Sequence, residues 1–180
     1  VVTVAGTLAM AVSPNSVAAT VGGAIANTLI GSSNNKQSVR AALNDATVNM
    51  VAGANLSVQA VNDASLANFA LGGGVAASGN VGVSAQGSAA AVDIHSDTLA
   101  SMNNTNVNAT NGKLELSAQS DNDIVSSADA ANVAFGSTVG VTGGAAISVV
   151  NSDADTRVEA KRDSGYSTWN VKDVSLSANS

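Results

Sequence analysis

The segment "VDIHSD" sets His95, the only histidine of the chain, between Asp93 and Asp97 and beside Ser96. These are the residue types of acyl transfer: a base, a carboxylate to orient it and a hydroxyl nucleophile. A triad is made by geometry, however, and not by adjacency in sequence. A polar corner after Val92 and Ile94 is expected here, and no catalytic residue is assigned. Two carboxylate pairs, Asp121 with Asp123 and Asp153 with Asp155, carry the hard oxygen ligands that calcium prefers. The glycine-rich calcium nonapeptide of other β-helices is missing. Solvated turns are therefore expected, in which Asp153 and Arg157 could pair across a corner. No metal and no other cofactor is assigned.

Glycine runs at 72–74, 22–23 and 143–144 lack the Lys that completes a phosphate-binding loop. They are read as sites of bending and tight packing. Asn55-Leu56-Ser57 and similar triplets match the glycosylation acceptor pattern, a weak signal in an Asn-rich chain. One stretch concentrates unusual residues. "KRDSGYSTWN" at 161–170 holds Lys161, Arg162, the only Tyr (Tyr166) and the only Trp (Trp169). Its expected place is a surface loop, whose aromatics either cover an edge or contact a host protein or glycan.

The chain that must position these residues is unusual in composition. Hydrophobic residues make up 45% of its 180 positions, yet aromatics only 2% and charged residues 11%. Ordinary domains carry about 25% charged residues. Most of the apolar content is Ala and Val, so a thin core with close backbones is expected. The Val content and a net charge of −6 argue against disorder. A pI of about 4.3 without a basic patch argues against nucleic acid. Cysteine is absent, which rules out disulfides and thiolate metal sites. No apolar run reaches the roughly 18 residues of a membrane span, so direct membrane insertion is not expected. The opening "VVTVAGTLAMAV" alternates like a strand, and it is read as one in preference to the apolar part of a signal peptide. A chain starting at Val1 is expected to be a fragment or a processed product.

A repeat organises the whole. "LSVQA" at 56–60, "LELSA" at 114–118 and "VSLSA" at 174–178 step by 58 and 60 residues. Val-Gly pairs at Val21, Val81 and Val139 step by 60 and 58, and Val39, Leu99 and Val158 by 60 and 59. The chain is thus a single segment with three imperfect repeats, approximately 1–60, 61–118 and 119–178. Within the third, "VAFGSTVGVTGGAAISV" alternates for about seventeen residues, against about 5–6 for a typical strand. Its odd positions, Val133 to Val149, are mostly apolar and are expected to face the interior; its even positions are small or polar.

So long an alternation, interrupted by glycines, suits an all-β chain that coils. The expected fold is a right-handed parallel β-helix (β-solenoid) of about nine coils. Each repeat would make three coils of about 20 residues. Asn- and Gly-containing stretches at 32–35, 103–106 and 110–112 are the expected corners, since these residues accept left-handed backbone angles. The alternating "VGVSAQGSAAAV" and "VGVTGGAAISVV", the "SDTLA" and "SDADTRV" segments and the closing "LSVQA" and "LELSA" then suggest a family. They resemble the repeat region of giant secreted Gram-negative surface proteins, the leukotoxin-like filamentous adhesins related to filamentous haemagglutinin. The resemblance covers essentially the whole chain. It implies a right-handed parallel β-helix, a type V export route and an extracellular or cell-surface location. The NPNG- or NPNL-like motif of the family's secretion domain is not found, so the middle of a stalk is expected. The expected function is a non-enzymatic structural stalk that projects a binding region from the cell. Alternatives are a fibre subunit that self-associates through its solenoid ends, and a module that binds a host-surface protein or glycan directly.

Overall fold

The computed structural model describes residues 1–162 and 167–180. Tyr166 therefore lies outside the described residues. The architecture is all-β. Among the described residues eleven strands follow in order: β1 (Val2–Ser13), β2 (Val17–Ile30), β3 (Gln37–Asn44), β4 (Thr47–Asn49), β5 (Leu56–Ser78), β6 (Val81–Asn103), β7 (Asn106–Asn108), β8 (Lys113–Gly136), β9 (Val139–Lys161), β10 (Trp169–Asn170) and β11 (Asp173–Asn179). The opening stretch is a strand, as its alternation implies.

Pairing is parallel and joins one repeat to the next. Val2 pairs with Ala67, Gln37 with Ser96, Thr47 with Asn106, Trp169 with Val107 and Asp173 with Lys113. One repeat is therefore one solenoid layer, and the chain makes three layers in place of the expected nine coils. The expectation of about 20 residues per coil took the size of a common solenoid repeat. Here β5, β6 and β9 run for 23 residues each and β8 for 24, so a layer consumes a whole repeat.

Each repeat contributes to two compact units. The first comprises Val1–Leu29, Ser65–Asp93 and Asp123–Ser152; the second comprises Ile30–Ala64, Ile94–Asn122 and Asp153–Ser180. The second unit has an ordinary apolar core. Val58, Met102, Val107, Ala109, Leu114 and Leu116 are buried together, with Leu43, Val158 and Trp169 packed against them. Its corners use the expected chemistry. Asn104 and Asn111 take positive φ angles of 49° and 63°, as do Asp45 and Gly53. Side-chain amides stack from layer to layer beside these turns: Asn103 donates to Asn44 at 2.9 Å, and Asn170 donates to Asn108 at 2.9 Å. Stacked amides satisfy polar groups that a corner cannot place in a sheet ladder.

The first unit reverses the expected facing. In β6 the even positions are buried and, through Asp93, the odd ones are not, so Ser84, Gln86, Ser88 and Ala90 point inward while Val83, Ala85 and Ala89 point outward. The third layer follows the same parity, because Ser148, an even position of β9, bonds Ser126 across the interior at 2.9 Å. Val141 and Ile147 lie on the outer face and are exposed. The assignment of odd positions to the interior is thus corrected. The polar corner expected after Val92 and Ile94 is replaced by continuous strand, since β6 runs on to Asn103 and even positions stay buried from Gly82 through Met102.

Close approach of the two sheets explains the reversal. A methyl group at Gly72 of β5 would lie 2.8 Å from the carbonyl oxygen of Gly87 on the facing β6. Gly, Ala and polar side chains line this part of the gap, with Gln86 lying over Gly22 and Gly74. Ala24, Ala26, Ala70 and Ala90 form its apolar cluster. The polar residues bond to one another: Thr20 donates to Ser84 (3.0 Å), Ser84 to Asn132 (3.3 Å) and Thr28 to Thr3 (2.7 Å). Asn68 reaches across to the carbonyls of Ala26 and Ala91 at 3.3 and 2.8 Å. Such mutual bonding offsets the desolvation of buried hydroxyls and amides.

This spacing gives a direct test. Gly72→Ala should cost about 1–3 kcal/mol, the usual range for overpacking. Gly143→Ala should be nearly neutral, because nothing lies within 4 Å of the added methyl. Urea denaturation midpoints of the two variants measure the difference.

Candidate functional site

Charge is segregated between the units. The first contains no Lys or Arg, and its only charged side chains are Asp93, Asp123 and Asp129. The second holds all seven basic side chains and the histidine. Its most polar feature is an open cleft of about 770 Å³ lined by Ser33, Asn34, Lys36, Arg40, Asp97, Asp155 and Arg157.

Three layers meet in this cleft. Asp97 is supplied by β6, in the middle layer, and its side chain is only 8% exposed. Arg40 of β3, in the first layer, donates to one carboxylate oxygen at 3.1 Å. Arg157 of β9, in the third layer, donates to the other at 2.7 Å. The contact with Asp97 raises the Arg157 pKa further above its ordinary value. Beside this stack, Lys36 lies 3.0 Å from Asp153 and 2.9 Å from Asp155. Hydrogen bonding from Lys36, with a second contribution from His95, holds the Asp153 carboxyl below its usual range. Asp155 and Asp153 in turn raise the Lys36 ammonium.

The residues singled out in the sequence are thereby placed. His95 Nδ1 faces Asp153 at 3.3 Å. Asp93 accepts from Asn151 at 2.9 Å, Ser96 is buried, and Asp97 holds the two arginines. Asp93, His95 and Asp97 therefore serve different partners, and the buried Ser96 hydroxyl makes no hydrogen bond among the described residues. Asp153 and Asp155 clasp a lysine, and the expected Asp153–Arg157 pair gives way to Lys36–Asp153 and Arg157–Asp97. These partners are 60 or more residues apart in the chain, a separation that only the layer register reveals. No cluster of three metal-ligating side chains occurs among the described residues.

The 161–170 stretch is divided. Trp169 is in β10, pairs with Val107 and donates from its ring nitrogen to the Thr105 carbonyl at 3.0 Å. It is half-buried against the apolar core of the second unit. Lys161 pairs with Glu159 at 2.6 Å, and Arg162 donates to the Ser167 carbonyl at 3.1 Å. A small cavity of about 250 Å³ is lined by Lys161, Arg162 and Trp169.

The arrangement in the cleft fastens layers together. A buried carboxylate shared by two guanidiniums is a charge-assisted clamp. Because both arginines keep about half of their surface in water, the clamp is worth less than a fully buried pair. Asp97→Ala should cost about 1–2 kcal/mol, and Arg40→Ala or Arg157→Ala less, since each leaves Asp97 one partner. Thermal unfolding at low and high salt checks this, and salt should narrow the gap between Asp97→Ala and the unaltered chain.

No helix of the described residues is long and apolar enough to cross a membrane. No protein-family model, no curated protein and no solved structure matches the chain.

Proposed function

We propose that the chain is a non-enzymatic structural segment of a bacterial surface or secreted adhesin, a stalk element that carries a binding region away from the cell. One observation carries this reading: each layer pairs in parallel with the next copy of the same repeat. Among the described residues the pairing consumes one edge of β1, β2, β3 and β4, and one edge of β9, β10 and β11. Unpaired strand edges accept further strands, so the same register extends by adding repeats, as in solenoids generally. Asp93, His95 and Asp97 are engaged in layer-to-layer contacts, which suits a structural role. The resemblance to filamentous adhesins supplies the proposed extracellular location and type V export.

The experiment joins copies of the chain in tandem and measures their maximum dimension by small-angle X-ray scattering. Three layers at about 4.8 Å each should add roughly 14 Å per copy. Growth in cross-section without growth in length would refute the stalk reading. Antibody labelling of intact source cells tests the location, and labelling only after lysis would contradict it.

A further inference from the structure

We infer that the outer face formed by β2, β6 and β9 in the first unit is a self-association surface, on which a second copy of the chain lays the same face. The inference is independent of the stalk reading, because it concerns lateral pairing and not extension by further layers.

The face is apolar where solvent should favour polar residues. Val21 and Ile25 of β2 are 81% and 77% exposed, and Ile147 of β9 is 61% exposed. Between these side chains runs a shallow furrow of about 260 Å³, floored by Gly23, Gly87 and Ala145. Nothing inside the chain requires glycine there. A methyl group at Gly23 would meet its nearest atom at 3.5 Å, one at Gly87 at 3.8 Å, and one at Gly143 would meet nothing within 4 Å. Glycine weakens a strand and marks places where another backbone comes close. Inward-facing Gly72 and Gly74 are explained by the opposing sheet. The outward glycines call for an approach from outside.

Three features select a second copy as the occupant. The face carries no charged side chain until Asp93 at its margin, so two copies meet without burying an unpaired ion. The other outer face, of β1, β5 and β8, carries Asp129 and would bury it. Ridge and furrow lie side by side: the Ile25 and Ile147 row is one outward step from the glycine row, so each copy offers what the other accepts. The area also suffices. Thirteen residues of strand by three layers span roughly 40 by 14 Å, or on the order of 1,100 Å² summed over both copies. That passes the roughly 1,000 Å² expected of a specific interface. A lipid surface fits less well. The unit lacks Lys and Arg for anionic headgroups, and the free edges of β2 and β9 need water.

The test uses sedimentation velocity on the whole chain over a range of concentrations. Ile25→Glu/Ile147→Glu and Ile25→Lys/Ile147→Lys should each weaken association about 100-fold or more, and mixing the two should restore it. Gly87→Leu fills the furrow from a Cβ that meets nothing closer than 3.8 Å and should weaken association about tenfold, which keeps the test valid if a charged variant misfolds by circular dichroism. Val4→Glu, on the other outer face, should leave association unchanged. Unaltered association in the Glu and Leu variants would assign it to the strand edges and overturn the inference. So would a chain that stays monomeric to about 100 µM, or one that binds phosphatidylcholine vesicles through this face without pairing.

Discussion

Ala90→Asp is expected to destabilise the first unit by several kcal/mol, whereas Ala89→Asp, one residue earlier, is expected to cost roughly 0.5 kcal/mol or less. Ala90 is 1% exposed and packs with Ala24, Ala26 and Ala70 between the two sheets. The neighbouring gap admits no methyl group at Gly72, so a carboxylate there has neither room nor a cationic partner. No Lys or Arg exists in that unit to neutralise it. Ala89 points outward and is only partly covered. Denaturation followed at a concentration low enough to keep the chain monomeric separates the two. Equal costs, or a larger cost at Ala89, would mean that the sheet faces are exchanged.

Leu114→Ala should cost about 2–5 kcal/mol, the range for deleting a leucine side chain from a packed core. Leu114 is fully buried in β8 and lies among Val58, Met102, Val107 and Leu116. Leu8→Ala is the control. Leu8 is 81% exposed on β1, and its loss should change stability by no more than about 0.5 kcal/mol. Hydrophobicity is the same at both positions, so the contrast reports position alone. Urea titrations of both variants provide the measurement. A costly Leu8→Ala with a neutral Leu114→Ala would place the apolar core in the wrong unit.

Some of this was legible in the sequence, and for identifiable reasons. The "LELSA" and "VSLSA" strings pair as their spacing implies, with Leu116 opposite Leu176 and Ala118 opposite Ala178. Asn104 and Asn111 occupy the left-handed positions that Asn tolerates. Other markers were displaced. Val39 pairs with Thr98 and Arg40 with Leu99, one residue away from the alignment by apolar residues. Thr20 bonds Ser84, which sets Val21 of the first layer level with Ala85 and not with Val81. A one-residue slip moves a side chain to the opposite face.

The facing of the first unit was misread because the usual rule equates apolar with buried. Alternation of Val with Gly, Ser and Ala fixes the period but not which set is inside. That choice rests on sheet separation, which depends on Gly72, Gly74 and Gln86 meeting across the interior. The charged cleft was invisible for a different reason. Asp97, Arg40 and Arg157 belong to three repeats and come together only through layer stacking.

The central claim is that one repeat makes one layer, and paired cysteines test it most directly in a chain that has none of its own. In-register neighbours in parallel strands lie about 4.8 Å apart, within the Cα range of a disulfide. Asn44 and Asn103 are such neighbours, with their amides bonded at 2.9 Å. Under mild oxidation, Asn44→Cys/Asn103→Cys should form an intramolecular disulfide in high yield, while Asn44→Cys/Ala64→Cys, spaced for a coil of about 20 residues, should stay reduced. Closure of the second pair in place of the first would contradict the three-layer account.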